Sequence, residues 1–447
     1  MRFCLLAFVF LLRVLPAAAD NTAVIDGALH AMLTDDEATQ RQAIAKLVRL
    51  KDRGAVAPLV HMLFWVPAED HRPLVSALTA LTGARPGADW IAWMTWLQEH
   101  PEFVPYAGYP ALLTELLAGL DNNFRRFIRA DVAHEIRLEE IVWGGVKVDG
   151  IPALDAPKMV AASEAAYLND DDRVFGVEIG GDARAYPLRI ANWHEMINDT
   201  VGGVPVSLAY CTLCGAGVLF DGRIEGRPPM TFGSSGLLYR SNKLMYDRAT
   251  NSLWNQFTGR PVVGPLVGSG IALKPLPVAI MNWSTWRKLH PGTTVLSLET
   301  GFRRDYGPNV AYRDYFASPK LLFPVGVRDH RLRDKDLVFG VRAPGGVKAW
   351  PLTRFAGGAV VNDRVGLLDV VLVGNAGERT VRAYESGGRR FAAAGDGVLR
   401  VGEERWTIGE AGLTGPDGRT LARLPGHVAY WFAWAGYFPE TAALPAK

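Results

Sequence analysis

Cysteine is almost absent from this chain. Three occur in 447 residues, and only Cys211 and Cys214 follow the first twenty. That scarcity excludes a disulfide framework and, within one chain, a four-cysteine structural metal site. A surplus of charge of one sign is missing too: the net charge is +2 and no long basic run occurs. Nucleic acid and acidic membrane surfaces are therefore not expected partners. The apolar fraction, 49%, is ordinary and sufficient for normal cores.

What is present begins at the first residue. MRFCLLAFVFLLRVLPAAAD has an early arginine, an apolar run broken by Arg13, and small residues before Asp20. This is the pattern of a secretory signal peptide over residues 1–19, and the interrupted run is short for a membrane span. The expectation is a periplasmic or secreted protein without a stable span after cleavage. Cys4 leaves with the leader, so the mature chain carries two cysteines into an oxidising compartment.

Residues 20–135 read as helices. Ile44, Leu47, Val48 and Leu50 fall near helical spacing, with Gly54 ending the run. Further short helical patterns follow in a helix–turn–helix rhythm like that of HEAT units. A small helical body of its own is expected, with a face that could take a protein partner. From about residue 145 glycine and proline become frequent and short β-branched or aromatic runs appear. The fold class is α+β and multidomain, with a HEAT-like helical domain before a β-rich one.

The β-rich part repeats itself. The segment from Asp172 and the segment from Asp336 align without a gap at an offset of 164, and 14 of 35 positions are identical. Farther on, residues 276–296 and 424–444 share L-P and W-x-x-W at an offset of 148. This gives two degenerate tandem copies, 145–325 and 326–447. Shared residues read as framework: Gly176 and Gly340, Pro187 and Pro351, the tryptophans Trp283, Trp286, Trp431 and Trp434, and the Asn-Asp pairs at 198–199 and 362–363, whose Asn-Asp-x-Val-Gly stretches are expected as turns entering a strand. Features found only in the first copy are where chemistry is sought. They are His194, Cys211, Cys214 and the polar hairpin YRSNKLMYDRATNSLW; Gly358, Asn375 and Glu378 stand opposite the first three.

Cys211 and Cys214 form a C-x-x-C turn between two strand-like runs. A disulfide across so short a loop contributes only about 2 kcal/mol, so the pair is a poor staple. It suits a reversible redox couple or a metal chelate better. Haem attachment is excluded because Gly215 stands where histidine is required. With His194, on a short helix after Pro187, two thiolates and an imidazole would suit copper(I) or zinc. The alternative for His194 is a satisfied core residue, and Glu195 either orients the imidazole or faces water. In the hairpin, Arg240, Asp247 and Arg248 could bind a small polar or anionic substrate or cofactor, and so much charge predicts a surface position beside the cysteines.

These segments resemble an uncharacterised bacterial and archaeal family known only as a domain of unknown function. The resemblance runs over about 145–445 and rests on D-G-I-P-A-L-D, N-W-H-E, Y-C-x-L-C-G, the S-G-L-L-Y…M-Y-D-R segment and S-L-W. The family usually has proline between the cysteines; Thr212 stands here, which should loosen the knuckle. The resemblance implies no reaction, only that His194, Cys211 and Cys214 occupy motif positions. Three readings follow: a Cys–Cys–His site for copper or zinc with possible oxidoreductase activity, a metal-free thiol–disulfide oxidoreductase, and a non-catalytic interaction protein with an inert disulfide.

Overall fold

The computed structural model describes residues 21–34, 36–395 and 397–442. The leader expected over residues 1–19, with Cys4, lies outside them. Six α-helices come first: Thr22–Ala31, Glu37–Leu50, Val56–Trp65, His71–Thr82, Trp90–Glu99 and Tyr109–Leu120. Their boundaries follow local chemistry. Asp36 and Asp89 accept backbone N–H groups in the first turns of their helices, and Gly83 ends another at φ 76°. The run expected to stop at Gly54 stops earlier, at a left-handed Lys51 with φ 54°. No helix among the described residues is long and apolar enough to cross a membrane.

The helical region packs against the β-rich region. Val56–Trp65 is buried on every side along its first eight residues, so it needs apolar partners all round. One continuous apolar cluster accordingly joins Ile25 through Val132 to Leu138, Leu237, Tyr430, Trp431 and both cysteines. A charged seam accompanies it. The fully buried Glu140 takes Arg137 at 2.9 Å from its own segment and Arg240 at 2.7 Å from the hairpin.

The remainder is β-rich and divided among several sheets. Arg173–Ile179 pairs antiparallel with Asp182–Pro187, setting Gly176 opposite Ala185; Leu337–Ala343 pairs with Gly346–Pro351, setting Gly340 opposite Ala349. A Cβ on Gly176 would stand 2.3 Å from the Trp286 ring, and one on Gly340 2.1 Å from that of Trp434. Glycine is required at both because indole covers the strand there. Trp286 donates to Thr293 at 2.8 Å, and Trp434 to Thr441 at 3.0 Å. All four tryptophans of the W-x-x-W segments are buried.

The Asn-Asp pairs, expected in turns, lie inside the strands Met196–Val201 and Ala359–Val365. The reversals fall three residues after each aspartate, at Gly202 with φ 54° and Gly366 with φ 52°, the last residues of the same Asn-Asp-x-Val-Gly stretches. The side chains explain the placement. Asn198 exchanges two hydrogen bonds with the backbone of Phe232, as Asn362 does with Phe391. Asp199 accepts from Arg184 and Tyr186, and Asp363 from Lys348 and Trp350. The Asn362 contact brings the two ends of an eight-stranded sheet together, so that sheet nearly closes into a barrel.

Because indole leaves no room for a methyl group, Gly176→Ala and Gly340→Ala should each lower stability by about 1–3 kcal/mol. Gly119→Ala, in an exposed helical turn with open space around it, should instead stabilise by up to about 1 kcal/mol. Urea unfolding of the three variants measures this; equal midpoints would contradict it.

Candidate functional site

Strands Val204–Cys211 and Ala216–Asp221 run antiparallel, with Cys211 opposite Ala216. The register leaves Thr212, Leu213, Cys214 and Gly215 as a tight connection, and Gly215 supplies the left-handed φ of 59°. The expected C-x-x-C turn between strands is thus present. Both cysteines are free thiols and buried, and their sulfurs lie 2.9 Å apart.

The hairpin delivers the next layer. Its strands Phe232–Tyr239 and Asn242–Asp247 are joined through Arg240 and Ser241, both with positive φ, 50° and 62°. A two-residue turn of this hand suits strand twist but normally recruits asparagine or glycine. Here it aims Ser241 and Asn242 at the thiols. Asn242 Nδ2 donates to Cys214 Sγ at 3.1 Å and to Gln256 Oε1 at 2.8 Å, while Cys214 Sγ donates to Ser241 O at 3.5 Å. Gln256 Nε2 then bonds the carbonyls of Ala209 and Ala216, both at 2.8 Å, tying together the two cysteine strands.

Glu195 links these pieces. It follows the helix Leu188–His194 in a left-handed conformation, φ 55°. Its backbone carbonyl accepts Tyr210 N–H at 2.7 Å, and Oε1 accepts the Thr212 hydroxyl at 3.0 Å. Lys243 Nζ lies 3.1 Å from Oε2 as a buried ion pair, although the ammonium makes no hydrogen bond of good geometry. Thr212 therefore fastens the cysteine turn to Glu195, where the sequence predicted a loosened knuckle. On the outer side, Tyr315 donates to Leu213 O at 2.6 Å and Tyr430 N–H to Cys214 O at 2.8 Å.

The other residues singled out in the sequence go elsewhere. His194 is fully buried; Nδ1 meets Pro152 O at 2.8 Å and Nε2 meets the Tyr306 hydroxyl at 2.6 Å. Burial holds its pKa below the usual imidazole value. Consecutive residues at the end of a helix point apart, so the turn that brings Glu195 to the cysteines carries His194 away from them. Among the described residues no three His, Cys, Asp or Glu side chains are grouped so as to hold a metal ion. The donors at the pair are two sulfurs, which falls short of the three protein ligands of a catalytic zinc centre.

Arg240, Asp247 and Arg248 serve the scaffold. Arg240 pairs with Glu140, Arg248 reaches Asp155 at 2.7 Å, and Asp247 holds its own turn through Thr250 and Trp254. The two strands of the hairpin are buried, contrary to the expected surface position, whereas Arg240 is half-buried and Arg248 is exposed. Burial of Asp247, and partial burial of Arg240, is tolerated because each has partners. Lys243, rather than an arginine, is the hairpin cation that reaches the cysteine turn.

A cavity of about 650 Å³ lies beside the turn, with Tyr210, Gly215 and Tyr430 in its wall. The thiols sit behind that wall. Burial raises the Cys214 pKa well above the ordinary thiol value, the neighbouring Cys211 thiol adds to this, and the Asn242 N–H opposes it. A raised pKa keeps the thiol protonated through the pH range where an exposed cysteine ionises. The pH at half-maximal alkylation of Cys214 in the reduced protein should thus exceed that of free cysteine, and Asn242→Ala should move it higher still. An ordinary midpoint in both proteins would contradict this assignment.

None of the curated proteins and none of the solved structures matches the chain. Residues 148–441, which hold the cysteine turn, Glu195 and the hairpin, match the model of the family described as "Protein of unknown function (DUF3179)", and the chain belongs to that family.

Proposed function

We propose that Cys211 and Cys214 form a reversible dithiol/disulfide couple, and that the protein is an exported thiol–disulfide oxidoreductase. The observation that carries this is the pair itself: two free thiols 2.9 Å apart in a turn held from both sides. Only a small movement separates that arrangement from a disulfide of about 2.05 Å. Oxidation breaks two S–H bonds, forms one S–S bond, and passes two electrons and two protons to a disulfide substrate, which leaves as two thiols. One cysteine attacks a substrate sulfur and expels the first thiol; the other then displaces the second from the mixed disulfide.

The β-rich region is read as a duplicated scaffold whose first copy keeps the couple. Supporting this are the matched glycine–tryptophan contacts, the paired Asn and Asp bonds, and the absence of thiols from the second copy. The HEAT-like helices, packed against the cysteine core, then act as its cover and as the face toward a protein partner. The donor set favours this couple over zinc, which would rest on two sulfurs alone.

A redox titration against glutathione, read by alkylation and mass, tests the proposal. One reversible two-electron transition is expected, and Cys211→Ser or Cys214→Ser should abolish it. Because Cys214 keeps its proton, oxidation releases that proton even above the usual thiol pKa, so the potential should go on falling there by at least about 30 mV per pH unit. A pair that stays reduced at every ratio, or one that takes up a stoichiometric metal ion and resists oxidation, would refute it.

A further inference from the structure

Resting on the dithiol reading above, we infer that the cavity beside the cysteine turn admits a small anionic disulfide, oriented by Arg313 and Arg379. The charge around the cavity points to this class. Four arginines line it, Arg173, Arg189, Arg313 and Arg379, against two carboxylates, Asp171 and Asp172. Arg189 is committed to Asp172 and to the carbonyl of Tyr167. Neither the Arg313 nor the Arg379 side chain forms an ion pair or hydrogen bond with a described residue, so two cations face the cavity uncompensated. Guanidinium groups in that state select carboxylates and similar planar anions.

The backbone at Arg379 gives a second, independent observation. Its φ is 58°, and the turn closes with Arg379 N–H on Ala376 O at 3.1 Å. At the aligned position of the first copy Gly215 has φ 59° and closes onto Thr212 O at 3.2 Å. The turn geometry favours glycine, yet the second copy carries arginine there against a left-handed strain. The side chain is what the strain retains. Arg379 lies close enough to Arg173 that its charge, with burial, lowers the Arg173 pKa. An anion between them would relieve that repulsion.

The cavity borders the cysteine turn, and the buried sulfurs lie directly behind its wall. Tyr210 directly precedes Cys211, Gly215 directly follows Cys214, and Tyr430 bonds the Cys214 carbonyl. A volume of about 650 Å³ suits a small molecule and not a folded protein. The exchange is the balanced one given above: dithiol and substrate disulfide become protein disulfide and two substrate thiols.

The test uses the reduced full-length protein and two probes, dianionic dithiobis(nitrobenzoate) and neutral dithiodipyridine. Each rate is divided by that of the same reagent with free cysteine. The wild-type protein should prefer the dianion, and Arg313→Gln and Arg379→Gln should each cut that preference about tenfold, the effect of one charge-assisted hydrogen bond. Rates with the neutral probe should hold. Arg303→Gln, an exposed arginine outside this cavity, should change nothing. Oxidation by both probes without regard to charge or to these arginines would overturn the anionic site while leaving the couple intact. Failure of both probes to oxidise the folded protein would overturn the couple, and this inference with it.

Discussion

The buried carboxylate of Glu195 is the contact on which the cysteine site depends. It is 6% exposed, and it joins three stretches far apart in sequence: the helix before it, the cysteine turn through Thr212 and Tyr210, and the hairpin through Lys243. A carboxylate taken out of water is costly unless it is paired and hydrogen-bonded. Both conditions are met here by residues that also frame the thiols. The cost of burying Glu195 alone therefore enforces one geometry at the pair. Asn242 and Gln256 extend the same lattice to Cys214 and to the strands on either side.

Burial then gives the thiols their character. The pair belongs to the same apolar cluster as the N-terminal helices, so the helical region helps to make the environment in which Cys214 holds its proton. Glu140, clamped between Arg137 and Arg240, fixes that region against the hairpin whose turn carries Ser241 and Asn242. Helices, hairpin and cysteine turn are thus joined by one apolar cluster and one ion-pair seam. The side toward Tyr210, Gly215 and Tyr430 borders an open cavity.

Much of this was legible in the sequence, and the failures share a cause. Helical spacing found the helices, and glycine with β-branched runs found the strands around Cys211 and Cys214, because those signals are local. The gap-free alignment singled out Gly176 and Gly340, whose contacts with Trp286 and Trp434 match in detail. What misled was charge. Arg240 and Asp247 looked like surface charges because their partners, Glu140 and Trp254, are separated from them in sequence or hidden in a turn. Glu195 was passed over for its neighbour His194, since no pattern reveals a left-handed residue after a seven-residue helix. Its one visible signal was position: it stands beside the apolar stripe in a copy-specific motif, and Ala359 aligns with it in the second copy.

The most direct measurement is a double-mutant cycle on Glu195→Gln and Lys243→Met, read by urea unfolding and by the potential of the Cys211–Cys214 couple. If the ion pair sets the geometry of the thiols, each single variant leaves a buried charge unpaired and loses about 3–5 kcal/mol. The double variant should then be less destabilised than the sum by well over 1 kcal/mol, and the potential should shift in every variant that remains folded. Additive losses together with an unmoved potential would contradict the account.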